Sequence, residues 1–398
     1  MKYVHKTIAL IVGIILVISC SDSPTDPNKS TGERGEVKQV ELIDEYSAEN
    51  IRQFFGQIDP DSPLEFTSDV SVYRVVYYSI DTHGNSTTVS GALMVPESVD
   101  SAPLFSLQHG TVFKRTSVAS QGVLMASEGF LGVAFASAEY VTILPDYLGY
   151  GVSETLHPYV HSEGNANVVV DMIQATKSWC AVNDIPLNDQ LFLGGYSEGG
   201  YVTMATQKII ESEYAAELPL TAVAPAAGPF DLVGFIDRVI GELNYPEPAM
   251  ASFLLTAYND IYGWNLLDDI FQSPYAGRMA DLFDGSRTGE EISNLLPESV
   301  DSLLTQQFVR DLKKGELPAV RNAFQENTLL DWTPQAPIHL YHGTNDQLVD
   351  VQNSLNAYEQ LSGAGAASIQ ITTYEGKDHS SAAEPAFNDM AAWFESFR

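Results

Sequence analysis

Two stretches rich in β-branched and aromatic residues, Val70 to Ile80 and Thr87 to Val95, flank His83-Gly84-Asn85, whose chemistry favours a turn. Together they predict a hairpin, so the chain opens with antiparallel strands. Downstream the pattern changes: short apolar runs at Leu104 to Leu107, Val141 to Leu144, Leu191 to Leu193 and Ala222 to Ala224 alternate with helical stretches. That alternation predicts an α/β architecture, a mostly parallel sheet with helices covering it.

The clearest helix lies between the second and third of these runs, where Val168, Val169, Met172, Ile173, Thr176 and Cys180 share one face. The next helix is expected to turn Val202, Ala205 and Ile209 inward. From about Phe230 to Trp332 the segments are mostly helical and are punctuated by Pro246, Pro248, Pro274, Pro297 and Pro318, as in an inserted helical cap. Pro337 to Tyr341 then resumes a strand, Val351 to Leu361 a helix and Ser368 to Tyr374 a strand, and Phe387, Met390, Ala391 and Phe394 mark an amphipathic final helix. The expected organisation is a core at 37–229 and 333–398 around an insertion at 230–332; the length of 398 residues allows one large domain with an insertion or two domains.

At the N-terminus, Lys2, His5 and Lys6 precede the apolar run Ile8 to Ile18, which is too short to span a bilayer and predicts a signal peptide at 1–19. Val17-Ile18-Ser19-Cys20 resembles the lipobox of bacterial lipoproteins, in which the cysteine is lipidated and becomes the mature N-terminus. That resemblance implies an exported chain anchored through Cys20 to a bacterial membrane, on the outer-membrane or periplasmic side. The polar stretch at 20–36 would then serve as a flexible tether. Cys180 is the one other cysteine, so no intramolecular disulfide framework exists in the mature chain, and its place on an apolar helical face predicts a buried core thiol.

With 44% hydrophobic and 18% charged residues the chain is globular, and 52 acidic against 20 basic side chains give a net charge of -32. Removal of the two lysines Lys2 and Lys6 with the signal takes that charge to -34. Such a surface repels a phosphate backbone, so nucleic acid is not an expected partner.

Gly195-Tyr196-Ser197-Glu198-Gly199 fits the G-x-S-x-G nucleophile elbow, and the Leu191 to Leu193 strand before it and the helix after it supply the context that motif needs. Gly195 and Gly199 leave room for the tight turn, and Gly200 adds further clearance. A serine hydroxyl attacks poorly without a base, and the base needs an acid to fix its tautomer. Asp346 follows the strand ending at Tyr341, and His379 follows the strand ending near Tyr374, which gives the order Ser, Asp, His with Ser197 first. Asp350 is better placed to cap the helix starting at Val351, and Asp378 adjoins His379 too closely to reach the far side of the imidazole. His342 precedes the acid and is read as structural.

An oxyanion requires two donors. The backbone N–H of Glu198 is the first candidate, and Gly110 or Thr111, in the loop after Leu107, supplies the second, with the Thr111 hydroxyl also available. A plain turn at His109-Gly110 is the competing reading. Asp146, in Pro145-Asp146-Tyr147-Leu148-Gly149-Tyr150-Gly151, is expected to pair with backbone or a neighbouring helix. His157 and His161 are expected at the surface or at a pocket rim, and neither a catalytic metal nor another cofactor is expected.

With Ser197, Asp346 and His379 in this order, the chain resembles the α/β-hydrolase superfamily from about Val70 to its end. Gly195-Tyr196-Ser197-Glu198-Gly199-Gly200, Pro145-Asp146-Tyr147, the inserted cap and Trp332-x-Pro334-x-x-Pro337 before His342-Gly343 are similar to the secretory lipase group, which includes fungal lipase A-type enzymes. The resemblance implies an esterase or lipase that cleaves carboxylic esters through an acyl-enzyme, with the cap inserted before the last two strands shaping the acyl pocket. A serine peptidase of the same fold, or an esterase removing feruloyl or acetyl groups from polysaccharides, are the alternatives. Phe253, Tyr258, Tyr262, Trp264 and Phe271 are candidates for pocket or core, and Glu198 departs from expectation by placing a carboxylate beside the nucleophile.

Overall fold

The computed structural model describes residues 32–242 and 245–398. The expected signal at 1–19, Cys20 and the expected tether as far as residue 31 lie outside them. Within the remainder of that tether, Arg34 pairs at 3.1 Å with the buried carboxylate of Asp171, and the Gly35 N–H donates to the Tyr78 carbonyl. No helix of the described residues is long and apolar enough to cross a membrane.

Strand β1 (Val37–Tyr46) has no fully buried residue along its length, which leaves it without a clear hydrophobic signature; it lies at the sheet edge. It pairs antiparallel with β2 (Val70–Ile80). Between them runs α1 (Ala48–Ile58), where the Ser47 hydroxyl accepts from the Asn50 N–H and buried Ala48, Ile51 and Phe55 form the inward stripe. The hairpin of β2 and β3 (Ser86–Pro96) stays in register from Val70 opposite Pro96 to Ile80 opposite Ser86.

The other strands are β4 (Ala102–Gln108), β5 (Val141–Pro145), β6 (Leu187–Tyr196), β7 (Ala222–Ala226), β8 (Ile338–Gly343) and β9 (Ile369–Tyr374). They complete a nine-stranded sheet of order β1-β2-β3-β5-β4-β6-β7-β8-β9. Every pairing from β5 to β9 across the sheet is parallel.

Both faces of this sheet are covered, and for that reason its central strands are continuous apolar runs instead of alternating ones. On β6, Leu191 and Leu193 join one core layer and Phe192 joins the other. The second layer holds α2 (Gly129–Ser137) and α14 (Ala383–Glu395), with Phe192 packed on Phe394 at a centroid distance of 4.7 Å. The first holds α3 (Ser162–Val182), whose predicted face is buried as expected, Cys180 included. Burial pushes the Cys180 thiol up to about 12, in keeping with a core thiol.

Helix α4 (Glu198–Glu213) differs from its amphipathic expectation. Every residue from Glu198 to Gln207 is buried, and Ile210, not Ile209, is the fully buried member of the last apolar pair. The helix starts in the interior at the end of β6, so its first turns have no solvent side.

Between β7 and β8 lie α5 (Leu232–Glu242), α6 (Pro248–Ile261), α7 (Leu267–Ile270), α8 (Met279–Leu282), α9 (Gly289–Ser293), α10 (Val300–Leu303), α11 (Gln306–Lys314) and α12 (Pro318–Glu326). Pro248 and Pro318 open α6 and α12, at positions where a missing N–H costs no hydrogen bond. Helix α13 (Gln352–Gly363) then connects β8 to β9.

Candidate active site

Strand β6 ends at Tyr196 and α4 begins at Glu198, so one residue, Ser197, makes the whole turn. It does so at φ 61° and ψ -123°, a backbone state that costs a non-glycine residue about 1–3 kcal/mol. The Ser197 N–H donates to the Ala226 carbonyl of β7 at 2.9 Å. The flanking glycines permit this close approach: a Cβ on Gly195 would lie 2.6 Å from the Gln108 carbonyl oxygen, and one on Gly199 only 2.1 Å from it.

The three residues picked out by order along the chain meet here. His379 Nε2 lies 2.9 Å from Ser197 Oγ, and His379 Nδ1 lies 2.6 Å from Asp346 Oδ2. Asp346, in the turn after β8, is 3% exposed, and its Oδ1 accepts from the N–H groups of Leu348 and Val349. Burial alone would raise its pKa; hydrogen bonds from His342 and His379, with the attraction of both rings, outweigh burial and bring it down to about 2. The Tyr196 hydroxyl donates to the His379 carbonyl at 2.6 Å, tying the residue before the serine to the histidine loop. Asp350 caps α13 by accepting from the Gln352 N–H, while Asp378 is engaged with the N–H and hydroxyl of Ser381.

His342 is fully buried, and among its partners is the carboxylate of Asp346. Its Nε2 lies 2.8 Å from the Val349 carbonyl and 3.2 Å from Asp346 Oδ2. A carbonyl only accepts, so Nε2 carries its hydrogen and shares it with the carboxylate, while Nδ1 meets the Ser354 hydroxyl at 2.7 Å. Its place at the end of β8, four residues before Asp346, was the one available signal.

Two expectations are corrected near the loops. Gly110 does not have a free N–H for an oxyanion, because that group donates to Glu128 Oε1 at 2.9 Å. Thr111 is adjacent, with its hydroxyl 2.9 Å from that of Tyr159, and Glu198 heads α4 with its N–H in the first turn, where the helix dipole favours negative charge. His157 and His161 are not at the surface or a rim but buried, at 3% and 8% exposure. His161 accepts from the Gly164 N–H at the start of α3, and burial lowers its pKa to about 4. His157 Nε2 contacts Glu198 Oε1 at 2.7 Å, which turns the carboxylate beside Ser197 inward.

Asp146 is buried and accepts from the Ser90 hydroxyl and from Ser120, which lies on the neighbouring 3-10 helix Ala119–Gln121, as expected of a residue pairing with a helix; burial raises its pKa. Among the aromatic candidates, Phe253, Tyr258 and Phe271 belong to the core, with Tyr262 and Trp264 packed against it. A cavity beside Ser197 takes its aromatic wall from Tyr159, Phe235 and Tyr245.

A serine on the turn between a central parallel strand and its helix, hydrogen-bonded to a half-buried histidine and through it to a buried carboxylate, is the arrangement of the α/β-hydrolase fold. The family model described as secretory lipase matches residues 115–396, and the chain belongs to the secretory lipase family of ester hydrolases. Lipase 6 of Candida albicans is 24% identical over 356 residues, covering 80% of this chain and 72% of that one. Lipase 4 of the same organism is 22% identical over 279 residues, and there the match spans 57% of the relative.

Among solved structures, the rice cell wall degrading esterase LipA from Xanthomonas oryzae superposes with a TM-score of 0.82 at 25% identity, covering 92% of this chain and 98% of that one. A putative hydrolase from Legionella pneumophila gives 0.85 at 27% identity over 91% of this chain and 98% of that one. Candida antarctica lipase A in its closed state shares the fold, with a TM-score of 0.67 at 15% identity, over 92% of this chain and 84% of that one.

Proposed function

We propose that this ester hydrolase works through an acyl-enzyme on Ser197, with His379 as general base and acid and Asp346 as the group that orients it. The observation that carries this reading is the 2.9 Å and 2.6 Å chain from Ser197 Oγ through His379 to Asp346. His379 Nε2 takes the Ser197 proton as Oγ bonds to the ester carbonyl carbon, and the carbonyl electron pair moves onto oxygen. The backbone N–H groups of Glu198 and Thr111 receive that oxyanion. Its collapse breaks the bond to the alcohol, which leaves with the proton held by His379. Water, deprotonated by the same nitrogen, then attacks the acyl carbon, and the acid departs as Ser197 regains its hydrogen. The helices at 230–332 act as a cap over this centre.

Short- and long-chain aryl esters, offered to the purified mature protein, test the reading. Turnover and fluorophosphonate labelling are expected in the parent and lost in Ser197→Ala; equal turnover by both would overturn it.

The chain is also read as exported and anchored through Cys20. The signal-like sequence at 1–19 and the family's secretory description support this. Labelled palmitate should enter the chain only when Cys20 is present. The Xanthomonas neighbour, named for degrading rice cell wall, favours a second substrate class, acyl or hydroxycinnamoyl esters of polysaccharides. Release of acetate or ferulate from such glycans at rates above those on simple esters would support that class.

A further inference from the structure

One loop, between β5 and α3, reaches both N–H groups proposed to receive the oxyanion. Toward the loop after β4 it sends three buried tyrosines. The Tyr147 hydroxyl donates to the His109 carbonyl at 3.1 Å, the Tyr150 hydroxyl donates to the Val112 carbonyl, and the Tyr159 hydroxyl meets that of Thr111 at 2.9 Å. With Glu128 on the Gly110 N–H, each residue from His109 to Val112 has a partner from outside this tetrapeptide. A Cβ on Gly110 would come within 3.9 Å of Ser197 Cβ, which sets the held residues against the serine. Toward α4 the same loop sends His157, whose Nε2 lies 2.7 Å from Glu198 Oε1.

The loop between these two arms is itself tied together. His157 Nδ1 lies 2.8 Å from the Leu148 carbonyl, the Gly149 N–H donates to the Ser153 hydroxyl at 3.0 Å, and the Ser153 N–H donates to the Tyr150 carbonyl at 2.9 Å. The Tyr150 ring packs on the His157 imidazole at a centroid distance of 4.5 Å, and Tyr147 stacks on His109 at 4.2 Å. Left-handed backbone is held near both ends by residues other than glycine, Tyr147 at φ 70° and Val160 at φ 55°. A β-branched residue rarely adopts that state, and such strain persists only where the surroundings over-determine it. Phenylalanine would fill the same space as these tyrosines; the hydroxyls add direction, because each fixes a group on the facing loop.

The geometry points to this loop as a brace that positions both oxyanion donors. Tyr147, Tyr150 and Tyr159 act through the backbone at 109–112, and His157 acts through Glu198. The inference rests on ester hydrolysis at Ser197 with the N–H groups of Glu198 and Thr111 as donors. All four side chains are positioning residues: donors held in place beforehand stabilise the charge that develops on the carbonyl oxygen without reorganising as it forms.

Tyr147→Phe and Tyr150→Phe each remove one hydroxyl and keep the ring; His157→Leu removes the other arm, and His157→Gln retains an N–H for Glu198. The first three are expected to lower kcat on an aryl ester by about tenfold with KM within about twofold of the parent, and His157→Gln to recover much of the loss. An aryl trifluoromethyl ketone accepts Ser197 Oγ at its carbonyl carbon, the serine proton passing to His379 and the carbonyl electron pair to oxygen, and so loads the same donors. Its affinity should fall in step with kcat, while the matched methyl ketone, which stays uncharged, should bind as it does to the parent. A purely structural role would lower thermal stability and leave the ratio of the two affinities unmoved. Because one loop serves both donors, Tyr150→Phe combined with His157→Leu should cost less than the product of the single losses. Full kcat in folded Tyr147→Phe and Tyr150→Phe, losses confined to KM, equal losses for both ketones, or losses that multiply in the double variant would each overturn the proposal. Should any variant lose its cooperative thermal transition, the ketone ratios of the others decide. Failure of the underlying reaction looks different: the parent turns over no aryl ester and Ser197 is not labelled by a fluorophosphonate, which removes both readings together.

Discussion

His342 Nε2 stands 3.2 Å from the same Asp346 oxygen that receives His379 Nδ1 at 2.6 Å, so two imidazoles share one carboxylate oxygen. The second ring fixes the acid in place and lowers its proton affinity. Replacing His342 with Ala should raise the Asp346 pKa and lower kcat/KM by about tenfold, the worth of one hydrogen bond to a charged group. His342→Gln, whose amide N–H reaches toward the place of Nε2, should recover much of that loss. Profiles of kcat/KM against pH for the three proteins check this; indistinguishable profiles would mean that His342 does not act through Asp346.

The Asp346 pKa near 2 makes its contribution to folding depend on pH. Its ordinary value in an unfolded chain is about 3.9, so between there and 2 the unfolded state binds the extra proton and stability rises with pH. The contribution, about 2 kcal/mol, is present in full above that window and lost as pH falls through it. Urea denaturation at pH 6 and pH 2.5 should show a larger loss for the parent than for Asp346→Asn. Equal losses would contradict the assignment.

Glu128 holds the loop beside Ser197 by accepting the Gly110 N–H at 2.9 Å. Glu128→Ala should free that loop and reduce kcat by about tenfold, while Glu128→Gln, which retains an acceptor oxygen, should stay within about threefold of the parent. Steady-state kinetics separates this outcome from one in which KM alone moves.

Two glycines give opposite predictions. A Cβ on Gly199 meets the Gln108 carbonyl oxygen at 2.1 Å, and backbone cannot yield by that much, so Gly199→Ala should cost about 3 kcal/mol or more or prevent folding. Gly56 lies exposed within α1 with nothing within 4 Å, and Gly56→Ala should stabilise the protein by about 0.5–1 kcal/mol. Thermal melts of both variants decide.

Ser197, Asp346 and His379 could be picked out because each follows a strand, and strand ends are readable from runs such as Leu191 to Leu193 and from the β-branched residues of β9. The hairpin of β2 and β3 was legible for the same reason, being a strong β pattern interrupted by turn residues. Contacts between side chains far apart in sequence were not. Glu198 and His157 are 41 residues apart, and Gly110 and Glu128 are 18 apart on loops of no fixed period, so no local pattern announces either pair. Strand β1 escaped because an edge strand without a buried face lacks the alternation that marks others, and the burial of α4 on all sides is a property of where it starts, which periodicity does not encode.

The Ser197 N–H is bonded to Ala226 of β7, while Gly199 and Gly195 rest against the Gln108 carbonyl at the end of β4. Ser197 is thus clamped by both neighbours of the central strand and cannot detach as a local unit. Amide hydrogens at 197–200 should exchange only through the slowest, global opening of the molecule, and thermal inactivation should keep pace with loss of the sheet, making catalytic activity a direct clock for unfolding of the whole core.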